Sequence, residues 1–212
     1  MKFEAFIKMV QTLPVIDTQI LPELGEKANG LKVQMSRWEK AGKLMQLRRG
    51  LYLLADPYRK IEIFELYLAA EIQKPSYISL EKALEFHNLI PEAVRTFTSV
   101  TTKRPCRVET ALGVFDYRHI HRSLFWGYQS VTLHGQTAFV ATPEKSLLDY
   151  FYLRHVPVTQ DYLDEMRLQS LEAVNLVRLK ELGGRFNKPV MMKTTDTLIR
   201  YIQENQRLEK RL

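Results

Sequence analysis

The sequence predicts an α+β protein, and three observations carry that expectation. Helix-period apolar patterns fill the first 41 residues and return after residue 142. Residues 94–140 turn β-branched and alternating instead. At 45% hydrophobic and 26% charged over 212 residues, the chain has apolar material for a folded core and is not disordered as a whole.

The amino-terminal elements follow from spacing. Phe3, Phe6, Ile7 and Val10 share one face of a helix from Lys2 to about Thr12. Pro14 breaks that pattern, and Asp17 is placed to cap a second short helix that ends near Gly25. After a turn at Glu26 to Gly30, a third helix runs from about Leu31 to Ala41. Leu31, Met35 and Trp38 form its core stripe, and Gly42 terminates it in a left-handed C-cap. Leu44 to Leu47 and Leu51 to Leu54, joined by Arg48-Arg49-Gly50, read as a hairpin with a basic tip. Three helices followed by such a hairpin describe a winged helix-turn-helix over residues 1–56.

Residues 57–212 read as a larger α+β domain with an antiparallel sheet packed by helices. A linker leads into an almost wholly apolar helix ending before Pro75, Ser76-Tyr77-Ile78 is a strand entry, and Ser79 caps a helix from Leu80 to His87. Thr96 to Thr101, Arg107 to Thr110, Val114 to His121, Tyr128 to Leu133 and Gln136 to Val140 supply four or five antiparallel strands, with His134-Gly135 as a tight turn. Thr142 caps the next helix, with Pro143 in its first turn and Leu147, Leu148, Phe151 and Tyr152 inward. Further helices are expected near 160–168, at 171–182 after Ser170, and at 190–209.

Charge sharpens the reading. The net charge is +7, and residues 1–60 hold 11 Lys/Arg against 6 Asp/Glu, so most of the excess sits in the first quarter. Residues 27–49 alone carry seven bases against Glu39. A concentrated positive block on a folded element is the electrostatic footprint of a phosphate-backbone binder. Lys32, Gln34, Ser36, Arg37 and Lys40 fall on the helix surface left over by the core stripe, with Lys43, Arg48 and Arg49 following. Arg37 suits a guanine edge and Gln34 an adenine, Lys32 and Lys40 suit phosphates, and Arg48 and Arg49 suit an adjacent minor groove. Lys103, Arg104, Arg107, Arg118 and Arg122 form a secondary basic set around the strands.

Other classes find less support. The longest uninterrupted apolar runs are five residues, so no membrane-spanning helix is expected. Lys2, Glu4 and Lys8 argue against an amino-terminal secretion signal, and the single Cys106 excludes a disulfide framework. A cytoplasmic location fits best. His119 and His121, two apart on a strand, with Asp116 nearby, are the one arrangement that suggests a metal-dependent enzyme, but surface polar roles account for them more simply. Lys145 and Asp149 read as a surface ion pair at i, i+4, Glu144 as a dipole partner, His87 as a helix C-terminal partner, and Cys106 as a structural thiol whose basic neighbours would lower its pKa. No catalytic residue, cofactor or metal is assigned.

Several motifs, taken in order, resemble one family. Leu47-Arg48-Arg49-Gly50-Leu51-Tyr52, Pro75-Ser76-Tyr77-Ile78-Ser79-Leu80-Glu81-Lys82-Ala83-Leu84, Ile90-Pro91-Glu92, Thr98-Ser99-Val100-Thr101 and Ala141-Thr142-Pro143-Glu144-Lys145-Ser146-Leu147-Leu148-Asp149 together resemble AbiEi-type antitoxins over roughly residues 1–155. The resemblance implies an antitoxin and transcriptional autorepressor of a type IV toxin–antitoxin, phage-defence (abortive infection) system. The expected partners are operator DNA with inverted repeats and an AbiEii-like nucleotidyltransferase toxin, and the expected state is a monomer or a DNA-assembled dimer. The alternatives are a stand-alone regulator whose second domain binds a ligand or partner, and a DNA-targeted metal enzyme.

Overall fold

A computed structural model of the chain describes residues 1–19 and 28–209. Helix α1 (Phe3–Val10) and strand β1 (Ile16–Asp17) precede α2 (Ala28–Lys40), β2 (Leu44–Arg48) and β3 (Leu51–Leu54). The rest comprises α3 (Glu65–Ile72), β4 (Ser76–Ile78), α4 (Leu80–Phe86), β5 (Thr96–Thr101), β6 (Cys106–Thr110), β7 (Gly113–His119), β8 (Tyr128–Leu133), β9 (Gln136–Ala141), α5 (Pro143–Arg154), α6 (Gln160–Glu165), α7 (Leu176–Gly184) and α8 (Pro189–Glu209). The class is α+β.

The first strands form a three-stranded antiparallel sheet in the order β1-β3-β2. Asp17 was expected to open a helix. It belongs instead to β1, opposite Leu51, and its Oδ1 accepts the Gln19 amide at 2.8 Å. The helix expected to follow it lies for the most part outside the described residues. At the end of α2, Lys43 N donates to Trp38 O and Gly42 N to Glu39 O, with Gly42 at φ +67°, a Schellman motif closed by glycine.

Strand β3 alternates between two cores. Tyr52 and Leu54 join Phe3, Phe6, Val10, Ile16, Leu31 and Met35, while Leu51 and Leu53 join Leu66, Leu68, Tyr77 and Phe115 in the larger cluster. A four-residue apolar run can be covered on both faces, and here it is.

The large sheet has six strands in the order β6-β7-β5-β4-β9-β8. It is mixed rather than antiparallel: β5 pairs with β7, and β4 with β9, in parallel. The expectation failed because strand propensity reports extended backbone and not partner order. Three-residue β4, which read only as a strand entry, lies between β5 and β9 at the centre. Helix α3 packs on the face of the sheet that presents Tyr117, whose hydroxyl donates to Ala69 O at 2.7 Å. Helices α4 and α5 pack on the Tyr77 face. The β8–β9 turn holds His134 and Gly135 at φ +50° and +73°, the type I′ geometry expected of a two-residue hairpin.

Thr142 Oγ1 accepts the Lys145 amide and Pro143 opens α5, as the spacing predicts. Before α7 the cap is Asn175 rather than Ser170: its Oδ1 accepts the Arg178 amide at 3.0 Å. Gly183 permits α7 to approach α8, since a Cβ there would lie 2.1 Å from Thr195 Oγ1.

The Lys145–Asp149 pair is not on the surface. Both side chains are 0% exposed. Lys145 Nζ donates to Asp149 Oδ1, while Tyr77 Oη and Ser79 Oγ donate to Oδ2 at 2.8 and 2.9 Å. Trp126 and Phe186 cover the ammonium, at 4.5 and 5.0 Å from their ring centroids. Burial pushes the Asp149 carboxyl up and the Lys145 ammonium down from their ordinary pKa values, against their mutual attraction. Glu144 is buried as well, and its Oε1 accepts the Asn175 amide at 2.9 Å, tying α5 to the start of α7. Removing one partner of the pair strands a charge without water. Lys145→Met is therefore expected to cost about 3–5 kcal/mol in urea unfolding. Adding Asp149→Asn, which keeps an acceptor for Tyr77 and Ser79, should recover more than half of that loss, a coupling that a double-mutant cycle measures.

His87 caps the end of α4, and its Nε2 lies 2.7 Å from Ala141 O. Burial holds its pKa below the ordinary 6.5, so the fold favours the neutral ring. Its stabilisation is full above that value and is lost as pH falls through the lower, folded pKa. The urea midpoint of His87→Gln should therefore decline less between about pH 7.5 and 5.5 than that of the parent protein.

Candidate nucleic-acid interface

Helix α2 is held by one stripe. Leu31 and Met35 are buried, and the half-buried Trp38 ring packs on Phe3 and Phe6 at centroid distances of 5.1 and 4.8 Å. Those two rings come from α1, so the aromatic contacts fix the rotation of α2 about its axis. The opposite side faces solvent: Lys32, Ser36, Arg37 and Lys40 are all exposed. Val33 is 54% exposed and shares that face at i, i+3, i+4 and i+7 with Ser36, Arg37 and Lys40. Sequence reasoning passed over Val33, although the same spacing marks it.

Gln34 and Lys43 are placed differently. Gln34 stands three residues after Leu31 and four before Trp38, which puts it beside the anchored stripe. It is half-buried, and its Oε1 accepts from the amino-terminal ammonium at 3.0 Å. The Lys43 ammonium sits 4.6 Å over the Phe3 ring. Arg48 and Arg49 are exposed where β2 turns into β3. Gly50, at φ +83°, shapes that turn, and its carbonyl accepts the Thr18 amide at 2.8 Å. Among the described residues no carboxylate pairs with Lys32, Arg37, Lys40, Lys43, Arg48 or Arg49.

The secondary basic set is only partly free. Arg107 pairs with Glu109 at 3.3 Å and Arg118 with Asp116 at 2.9 Å, a strip of alternating sign on β6 and β7. Lys103 and Arg104, between β5 and β6, and Arg122, after β7, are exposed and without an ion pair among the described residues. His119 Nδ1 lies 2.9 Å from Lys103 O, and His121 Nδ1 lies 2.8 Å from Ser123 Oγ. Among the described residues no three His, Cys, Asp or Glu side chains gather as a metal site would require. The Cys106 thiol is pushed up by burial and then by Asp116, opposite to the expected effect of its basic neighbours.

A cavity of about 370 Å³ opens elsewhere, walled by Leu84, Ile90, Tyr150 and Tyr162 and rimmed by Glu81, Glu92 and Glu165. Two of those carboxylates are ion-paired, Glu81 with Arg154 and Glu92 with Arg167. No helix of the described residues is long and apolar enough to cross a membrane. No protein-family model matches the chain, and no curated protein matches it significantly.

The anchored and exposed faces of α2 should separate in a stability experiment. Phe6→Ala removes a fully buried ring under Trp38 and is expected to lower unfolding stability by about 3–5 kcal/mol. Arg37→Ala, on the solvent side, should stay within about 0.5 kcal/mol of the parent protein in the same urea titration.

Proposed function

We propose that this chain is a sequence-specific DNA-binding autorepressor and antitoxin of the AbiEi type, built as an amino-terminal winged helix-turn-helix and a larger α+β effector domain. The observation that carries the reading is the division of α2. Leu31, Met35 and Trp38 anchor it, leaving Lys32, Val33, Ser36, Arg37 and Lys40 outward with no described carboxylate to neutralise them. A helix so presented fits the major groove, where Arg37 reads a guanine edge bidentately and Lys32 and Lys40 meet phosphates. Arg48 and Arg49 at the hairpin turn act as the wing on the neighbouring backbone. The family resemblance adds the remaining part: the chain represses its own promoter at inverted repeats and counters an AbiEii-like nucleotidyltransferase toxin. No catalysis is assigned to it.

A stand-alone ligand-responsive regulator is the second reading, favoured by the acid-rimmed cavity of the larger domain. A nucleotidyltransferase-like reading frame beside the gene supports the first reading, and its absence supports the second.

The test is fluorescence anisotropy on the duplex upstream of the gene. Arg37→Ala should lose about 1–3 kcal/mol of binding and relax sequence preference, whereas Lys40→Ala should weaken all duplexes alike and reduce the salt slope by about one. Affinity untouched by either change would remove α2 from the interface.

A further inference from the structure

We propose that the free edge of β8 is a dimerisation surface that pairs antiparallel with β8 of a second copy of this chain. Strand β8 ends the six-stranded sheet, and β9 is its one strand neighbour among the described residues. The direction of its backbone groups follows from the register. Thr142 N donates to Gly127 O at 2.9 Å, which makes Gly127/Thr142 a hydrogen-bonded pair. Pairs alternate in an antiparallel ladder, so Gln129, Val131 and Leu133 exchange bonds with β9. The N–H and C=O groups of Tyr128, Ser130 and Thr132 therefore point away from the sheet. Five of the six β8 residues are exposed.

Each other edge strand carries a feature that discourages pairing. Strand β6 holds Arg107 and Glu109, β2 has a register irregularity between Gln46 and Arg48, and β1 is two residues long. Strand β8 has none of these. Tyr128-Gln129-Ser130-Val131-Thr132-Leu133 contains no Lys, Arg, Asp, Glu or Pro, and its register with β9 runs without a shift.

The occupant follows from charge and symmetry. Two copies of a chain of net charge +7 repel at most surfaces, but at β8 no formal charge opposes another. An antiparallel edge is its own complement, which a two-fold interface requires. With Ser130 on the axis, Tyr128 of each copy faces Thr132 of the other, and all the outward backbone groups find partners. Phe139, opposite Ser130 and 42% exposed, then flanks the paired serines from both sides and extends the contact with apolar surface.

The proposal goes beyond the DNA reading and needs no nucleic acid, so the two fail separately. Sedimentation of the full chain from about 1 to 500 µM should show growth toward twice the monomer mass. The Ser130 and Thr132 amides should gain hydrogen-exchange protection over the same range. Ser130→Pro deletes only an outward N–H, a position where proline is tolerated. It should give monomer at every concentration with an unchanged circular dichroism spectrum, and Thr132→Lys should do the same by charge if the proline variant does not fold. A parent chain that is monomeric throughout, or a dimer that survives both substitutions, overturns the proposal.

Discussion

The burial of β3 on both faces is the constraint on which the rest of the arrangement depends. Leu51 and Leu53 face the larger core, and Tyr52 and Leu54 face the cluster built on Phe3, Phe6 and Met35. Each face removes apolar surface from water at roughly 25 cal/mol per Å², so neither cluster can rotate away without exposing the other side of the same strand. Helix α2 is positioned through this strand: its stripe packs in the cluster that Leu54 helps to close, and the turn carrying Arg48 and Arg49 leads into β3 itself. The cationic residues of both elements are thereby held in a fixed relation to the six-stranded sheet.

The larger core uses a different device. A Lys–Asp pair without solvent access is weak as a source of net stability, because desolvation opposes the attraction. Its value here is directional. Asp149 on α5 accepts from Tyr77 on β4 and from Ser79 at the start of α4, so one carboxylate ties a strand of the large sheet to both helices that cover its face. Lys145 in turn brings Trp126, before β8, and Phe186, after α7, over its head. An apolar group in this place would pack against those rings but would not specify which helix meets which strand.

What the sequence made legible was local. The α2 stripe, its glycine stop, the hairpin on either side of Arg48-Arg49-Gly50, the His134-Gly135 turn and the Thr142-Pro143 start of α5 all follow from patterns within ten residues, and the structure contains each of them. What escaped was set at long range. Strand β1 is two residues and exists because Ile16 and Asp17 lie beside β3. The parallel pairing of β4 with β9 joins segments some sixty residues apart. Lys145 and Asp149 look like a solvent-exposed helix pair until Trp126 and Phe186, distant in sequence, cover them. At the candidate interface the exposure of Lys32, Ser36, Arg37 and Lys40 could be read from the spacing of their apolar neighbours. The displacement of Gln34 toward the anchored side could be read too, since it flanks Leu31 and Trp38. The seat of Lys43 over Phe3 could not, because it depends on how α1 crosses the end of α2.

The placement of charge connects these features. The chain is basic, and its cations differ in setting: those on α2 and at the β2–β3 turn have no carboxylate partner among the described residues, those on β6 and β7 are paired with carboxylates, and β8 carries none. Unopposed cations attract a polyanion, at the expense of repelling other copies of the same chain. Paired charges on a sheet edge keep that edge soluble and single without adding to the net field. A strand with neither property is the place where a like-charged copy can approach, since mutual repulsion there is weakest and unpaired amides are available. The same distribution leaves β8, among the described sheet edges, as one that a like-charged copy approaches with little repulsion.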